Sequence, residues 1–366
     1  MNNTVDTPGP GAPGPDTPGP DTPSGADSSQ EPDAPLTSNT PNVPNTPDVP
    51  NTPDVPDTPD APDTPDAPGS EASHSDTPHT EAPGYSPQWL ELREGADAAA
   101  RAPGLLRPLR AFLADRPPKD LGLVISDLGC GTGSMTRWLA PRLDGPQHWI
   151  LYDHDPRLLD RAAALAPPTA ADGGRVTVST EQGDIGRLTV DRLAGTSLVT
   201  GSALLDVLTA DEVEALVDAC TGAGCPVLLA LSVVGRVEFT PADPLDAELT
   251  DAFNAHQRRH RDGRRLLGPD AVTAATEAFE RRGATVHTQA SPWRLDPSRG
   301  AEESVLTEWW LRGWVEAARE QRPDLAPRAE TYLRRRLNAC AEGELSVVVH
   351  HVDLLALPGP AEAATP

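Results

Sequence analysis

Asp127-Leu128-Gly129-Cys130-Gly131-Thr132-Gly133 stands between the apolar run at 121–125 (Leu-Gly-Leu-Val-Ile) and the helical-looking Ser134-Met-Thr-Arg-Trp-Leu-Ala140. A buried strand therefore enters three alternating glycines and leaves through a helix start. Without side chains at the turn, main chain can approach a ligand closely, and the helix N-terminus adds unpaired N–H groups. The acid narrows the ligand. A dinucleotide fold wants G-x-G-x-x-G around a pyrophosphate, and counting from Gly129 the third glycine's place is held by Ser134. Asp127 would put negative charge where phosphate should sit. A cationic ligand, carrying an ammonium and a sulfonium, suits that acid better.

An acid, one spacer and then G-x-G-x-G is the first motif of the class I S-adenosylmethionine-dependent methyltransferases, and Asp127 to Gly133 resembles it residue for residue. Two later segments keep register with it. Leu151-Tyr-Asp153-His154-Asp155-Pro156 closes the second expected strand, and an acid there can grip both hydroxyls of a ribose. The resemblance gives that role to Asp153 and lines the adenine side with His154; Asp155 caps the next helix, whose first turn suits Pro156. Glu181-Gln-Gly-Asp184-Ile185 follows the third strand. In the family an acid at that point accepts the adenine amine and the next N–H reaches a ring nitrogen, which points to Asp184 and Ile185. The cofactor set implied by the resemblance is thus Asp127, Gly129, Cys130, Gly131, Gly133, Asp153, His154, Asp184, Ile185 and Ser202.

The chain is made of two materials. Residues 1–88 contain no Lys or Arg, hold 22 of the 42 prolines and carry 15 acidic residues, with Thr-Pro-Asp-Val/Ala-Pro units repeating from about Thr46 to Pro68. Such a segment buries too little apolar surface to offset its ordering entropy, so we expect a disordered, acidic, Pro/Asp-rich tail with polyproline II character. It has no basic start and no apolar core of the signal-peptide kind. The formal charge is −25 overall, and −10 remains on residues 89–366, the expected methyltransferase domain. That acidity suits a small-molecule acceptor better than a nucleic-acid backbone. No apolar run reaches the ~18 residues of a membrane span. The four cysteines, Cys130, Cys220, Cys225 and Cys340, have no metal spacing, and Cys220 and Cys225 read as core or loop thiols. A reducing, cytoplasmic setting and no metal are the expectations; the oligomeric state is open.

From Trp89 two helices are expected (Trp89–Arg101 and Leu105–Ala114) within an N-terminal helical lid over 89–118. Strands are then expected near Leu123–Asp127, Trp149–Tyr152, Arg175–Glu181, Thr196–Gly201 and Pro226–Ser232, with helices near Ser134–Arg142, Arg157–Leu165, Thr189–Leu193 and Ala210–Ala219. Alternation of this kind implies an α/β fold with helices on both faces of a parallel sheet. Helices at Pro244–His260 and Gly268–Arg282, a strand at Thr285–Ala290, a two-helix insertion over 300–342 and a final strand at Leu345–Leu357 complete the chain. The resemblance implies a Rossmann-like seven-stranded methyltransferase sheet in the order 3-2-1-4-5-7-6, its last strand antiparallel, with the insertion as an acceptor cap or a structural buttress.

Candidates for acceptor chemistry are fewer. Thr200-Gly-Ser202-Ala-Leu-Leu-Asp206-Val207 follows strand four and lacks the [N/D]-P-P-[Y/F] pattern of amino methyltransferases acting on bases and glutamine. Asp206 is a candidate general base, or a plain helix cap. His256 and His260 fall at i, i+4 of the helix expected over Pro244–His260, too few ligands for zinc, and His256 is the candidate for acceptor-side acid/base work. Arg258, Arg259, Arg261, Arg264 and Arg265 form a cluster able to hold a carboxylate or phosphate, or simply a solvated basic face. In the first helix Arg93, Asp97 and Arg101 are spaced for a salt-bridge ladder. Alternatively, Arg93 pairs with the methionine carboxylate. The reading is an S-adenosylmethionine-dependent methyltransferase acting on a small-molecule acceptor, an anionic one if the arginine cluster serves it; the alternative is a non-catalytic S-adenosylmethionine-binding regulatory or scaffold protein.

Overall fold

Strand β1 (Leu123–Leu128) is the axis of the fold, paired in parallel with β2 (Gln147–Asp153) on one side and β4 (Leu198–Ser202) on the other. The computed structural model describes residues 86–115, 122–183, 185, 188–261 and 263–359. The tail expected over 1–88 lies outside them except for its last three residues. β3 (Val176–Gln182), β5 (Val227–Thr240), β8 (Thr285–Ala290) and β10 (Ser346–Leu357) extend the sheet to the order β3-β2-β1-β4-β5-β10-β8. With β10 as the seventh expected strand and β8 as the sixth, this is the expected order, and β10 runs antiparallel to both neighbours. β9 (Trp293–Leu295), an eighth strand with no expectation behind it, pairs with the start of β10.

Period-two alternation sends successive side chains to opposite faces. Leu228 and Ala230 of β5 join Leu109 of α2 (Leu106–Ala114), Trp138 of α3 (Ser134–Leu139) and Leu159 of α4 (Pro156–Ala164). Val227 and Leu229 instead meet Leu216 of α5 (Ala210–Gly222) and Phe279 of α7 (Ala271–Arg281). Both faces are therefore covered, and burying each large apolar side chain contributes about 1.5–3 kcal/mol. The termini carry their own signals. Thr209 and Glu212 make a full capping box on α5, and Asp155 caps α4 with Pro156 in its first turn.

A third core gathers where β5 and β10 run on past the rest of the sheet. Phe239, Trp314 and Tyr332 pack there with α6 (Asp246–Gln257), α8 (Ala301–Gln321) and α9 (Ala326–Ala341). β5 was expected to stop at Ser232. It continues because Gly235, at φ +73°, absorbs a bulge opposite β10 and returns the strand to register. The helix expected to reach His260 ends at Gln257 instead, and His260–Arg261 (β6) and Arg264–Arg265 (β7) pair antiparallel as a short hairpin. His256 and His260 thus do not share a helix face. No described helix is long and apolar enough to cross a membrane.

Candidate functional site

The carboxyl ends of β1, β2 and β4 open into a cavity of about 670 Å³, covered by α1 (Pro87–Ala100). Gly129 (φ +60°) and Gly131 (φ +55°) form its floor in a conformation that L side chains rarely adopt. A Cβ on Gly131 would come within 3.2 Å of Leu90, and one on Gly129 within 3.3 Å of Ile185 and Leu204. Gly133 has a different task. It does not line the cavity; at φ +84° it is the N-cap of α3, and a Cβ there would press on Ala162 of α4 at 3.1 Å. The third glycine serves helix packing rather than ligand approach.

Two carboxylates sit in the wall. Asp153 is buried, with Oδ2 accepting the Gly131 N–H at 2.9 Å and Oδ1 the Asp155 N–H at 3.0 Å. Both oxygens are thereby fixed in orientation and each retains a further acceptor site. The exposed His154 lies 3.2 Å from Oδ1. Asp127 is wholly buried, accepting from Thr200 Oγ1 at 2.8 Å and Thr136 Oγ1 at 3.4 Å. Burial pushes its carboxyl up to about 6, against the pull of the two hydroxyls and of Arg101. Burial also raises the Cys130 thiol, with the nearby Asp127 and Asp153 charges adding to it, so Cys130 lines the cavity as an inert neutral group. Ile185 and Ser202 line it too, whereas Asp184 lies outside the described residues. Ala203, beside Ser202, holds φ +51° without being glycine, the kind of backbone strain that collects at functional sites.

The arginines of α1 divide. Arg93 grips Asp97 through Nε and Nη2 (3.0–3.3 Å), and Trp293 both donates to Asp97 Oδ1 at 3.0 Å and lies beneath the guanidinium. Both Arg93 and Asp97 line the cavity. Arg101 does not continue the ladder. It is buried under the site, donating to Ser134 Oγ at 2.9 Å and Ser202 Oγ at 3.1 Å, and so ties the end of the glycine turn to the end of β4. Its spacing on the helix was visible in sequence; partners 33 and 101 residues away were not.

The expected catalytic residues separate. Asp206 is half-buried in the turn Leu205–Val207, next to the cavity-lining Val207 but not itself in the cavity wall, and desolvation raises its carboxyl to about 6 while a backbone hydrogen bond and the Arg93 charge oppose the shift. His256 is elsewhere. It is buried on α6, its Nε2 is 2.8 Å from Glu320 of α8, and its Nδ1 accepts from Arg259 at 2.7 Å. With Nδ1 accepting, Nε2–H donates to Glu320, which makes His256 a neutral strut between α6 and α8. Burial further lowers its pKa. It does not line the cavity, and the acceptor-side role expected for it is corrected accordingly. Among the described side chains of the arginine cluster, Arg264 lines the cavity, whereas Arg258 pairs with Asp270. Glu212 and Leu266, which sequence reading passed over, line it as well. No cluster of metal-binding side chains exists among the described residues.

Residues 125–224 match the family described as "Methyltransferase domain". Over those residues, which hold the glycine turn, Asp153 and Ile185, the chain is similar to a methyltransferase domain. A curated relative, the trans-aconitate 2-methyltransferase of Streptomyces coelicolor (strain ATCC BAA-471 / A3(2) / M145), is 35% identical over 99 residues, covering 25% of this chain and 29% of that protein. The match therefore spans less than a third of the relative's length. Among solved structures, the S-adenosylmethionine-dependent methyltransferase from Geobacter sulfurreducens in complex with S-adenosyl-L-homocysteine is 17% identical, with a TM-score of 0.38 over 75% of this chain and 99% of that one. A cyclopropane synthase from Mycobacterium tuberculosis is 13% identical, with a TM-score of 0.34 over 69% and 83%.

Proposed function

We propose that the chain transfers the methyl group of S-adenosylmethionine to a small, anionic acceptor held in the same cavity. The observation that carries this reading is the meeting, in one cavity, of the glycine floor, the oriented Asp153 carboxylate and the buried Asp127. These residues fit the cofactor. Asp153 has acceptor capacity left for a ribose diol, and Asp127 offers a desolvated acid to the methionine ammonium. Ile185 supplies the adenine edge together with Asp184, and His154 borders it. Arg93, anchored by Asp97, keeps Nη1 for the methionine carboxylate; no described residue accepts from that nitrogen.

When bound, the cofactor supplies a methyl group already activated on a sulfonium. What remains for the chain is to align the acceptor, exclude water and remove a proton where the nucleophile carries one. Leu204, Val207 and Leu266 give the acceptor end an apolar wall. Asp206, its carboxyl raised to about 6, adjoins that wall through Val207 without lining the cavity, so a proton would reach it only by way of the acceptor or water. An anionic acceptor is supported by Arg264 in the cavity wall and by a relative named for trans-aconitate. The four cysteines are all free and buried, which supports a reducing, cytoplasmic setting.

Calorimetry with S-adenosylhomocysteine tests the reading, since absence of binding would overturn it. Binding with no transfer of labelled methyl to any small acceptor would leave a non-catalytic binding protein in its place.

A further inference from the structure

The β6–β7 hairpin brings Arg264 to the acceptor end of the cavity, where its guanidinium meets Glu212 in a planar fork: Nε to Oε1 at 3.1 Å and Nη2 to Oε2 at 2.5 Å. The arginine is placed by main chain. Arg264 pairs with Arg261 across the hairpin, Leu266 N–H returns to the Arg259 carbonyl, and Leu267 N–H reaches the Leu208 carbonyl at 2.9 Å. Glu212 is placed independently. Its Oε2 also accepts the Thr209 N–H at 2.9 Å, closing the capping box of α5. Glu212 can therefore part from Arg264 and still keep a hydrogen-bonded position. The pair is also weakly held, its side chains being 48% and 24% exposed, in the range where ion pairs add little stability. Beside it lie Val207, Leu208 and Leu266, an apolar wall suited to a short hydrocarbon body.

We propose that Arg264 is the recognition group for a carboxylate on the methyl acceptor, and that Glu212 is a stand-in which the acceptor's carboxylate displaces. The inference rests on the methyltransferase reading above and names the acceptor class within it. The geometry favours a carboxylate because the fork already holds one edge to edge, so an incoming carboxylate replaces like with like. Glu212 then sets the threshold for binding. It competes with weak carboxylates and is displaced by well-fitting ones.

The test uses the full chain saturated with S-adenosylhomocysteine and titrated by calorimetry with aliphatic mono-, di- and tricarboxylates of four to eight carbons, each against its amide. At least one carboxylate binds tenfold or more tighter than its amide. Arg264→Gln removes that preference, and Glu212→Gln, which retains the capping box, tightens the same carboxylate about fivefold. The opposite signs of the two variants are what a merely structural ion pair does not give. The proposal is overturned if no carboxylate outbinds its amide, if Arg264→Gln keeps the preference, or if Glu212→Gln weakens binding. Failure of the wild-type chain to bind S-adenosylhomocysteine would overturn the underlying methyltransferase reading instead.

Discussion

The strand ends around Asp127 and Asp153 and the helical layer of α6, α8 and α9 are both largely buried, and they are built on opposite terms. The first buries carboxylates and leaves the chain bare at Gly129 and Gly131, so that polar groups face a cavity. The second fills its space with Trp314, Phe239, Tyr332 and Leu311, and confines its charges to fixed pairs such as Arg336–Asp246. Burying an acid costs free energy that its hydrogen bonds and the Arg101 charge offset only in part, as the raised Asp127 carboxyl shows, and a cationic ligand can return more. Burying a tryptophan among aromatics repays itself on folding. The difference separates a cavity edged with polar groups from a layer filled with aromatic side chains.

The largest effect that can break this comparison is at Trp314, which is 2% exposed and flanked by Trp310, Phe239, Phe253 and Tyr332. Trp314→Ala costs about 3–5 kcal/mol in denaturant unfolding, from lost burial and the cavity left behind. Affinity for S-adenosylhomocysteine in the folded fraction stays within twofold. A parallel fall in affinity would show that the helical layer shapes the cofactor site after all.

Next comes Asp153. Its replacement by alanine deletes two fixed acceptors and leaves the Gly131 and Asp155 N–H groups without their partner. The expected loss is about 100-fold in calorimetric affinity, roughly two hydrogen bonds to a charged group. Unchanged affinity would detach Asp153 from the ligand.

Smaller, and of definite sign, is the pH dependence set by Asp127. Its folded pKa of about 6 lies above the ordinary 3.8, so between those values the empty folded protein holds a proton that the unfolded chain has released. Asp127 therefore adds stability as pH falls through that window. Affinity for a ligand ammonium moves the other way, because only the ionised carboxyl serves it. Binding of S-adenosylhomocysteine is expected to be flat above pH 7 and to weaken about tenfold by pH 5. Asp127→Asn binds more weakly throughout and flattens the profile.

The same contrast explains what the sequence discloses. The cofactor end is legible because its parts are local: strand, acid, glycine turn, helix start, each at the end of a strand that alternation reveals. The sheet order followed from a family resemblance resting on those turns. The acceptor end is assembled from distant pieces, with Arg264 meeting Glu212 across 52 residues, and so is the support beneath the glycine turn, where Arg101 meets Ser202 across 101. No spacing rule connects these pairs. Gly235 concealed the length of β5 because a glycine inside a bulged strand resembles a strand end.

His256 is the sharpest instance. A histidine four residues from another, among arginines, has the composition of a site, yet α6 stops at Gln257 and sends His260 into the hairpin. What remains is a neutral imidazole between Arg259 and the largely exposed Glu320. His256→Gln keeps a polar side chain of similar reach, so the expected cost is about 1 kcal/mol of stability, the worth of one ordinary hydrogen bond. Methyl transfer to whichever acceptor the wild type uses is expected to change by less than twofold in kcat and KM, with the same pH optimum. A proton-transferring histidine would give a loss of about 100-fold or more. Such a loss, with the fold intact, would move the acceptor toward α6 and erase the division drawn between the two regions.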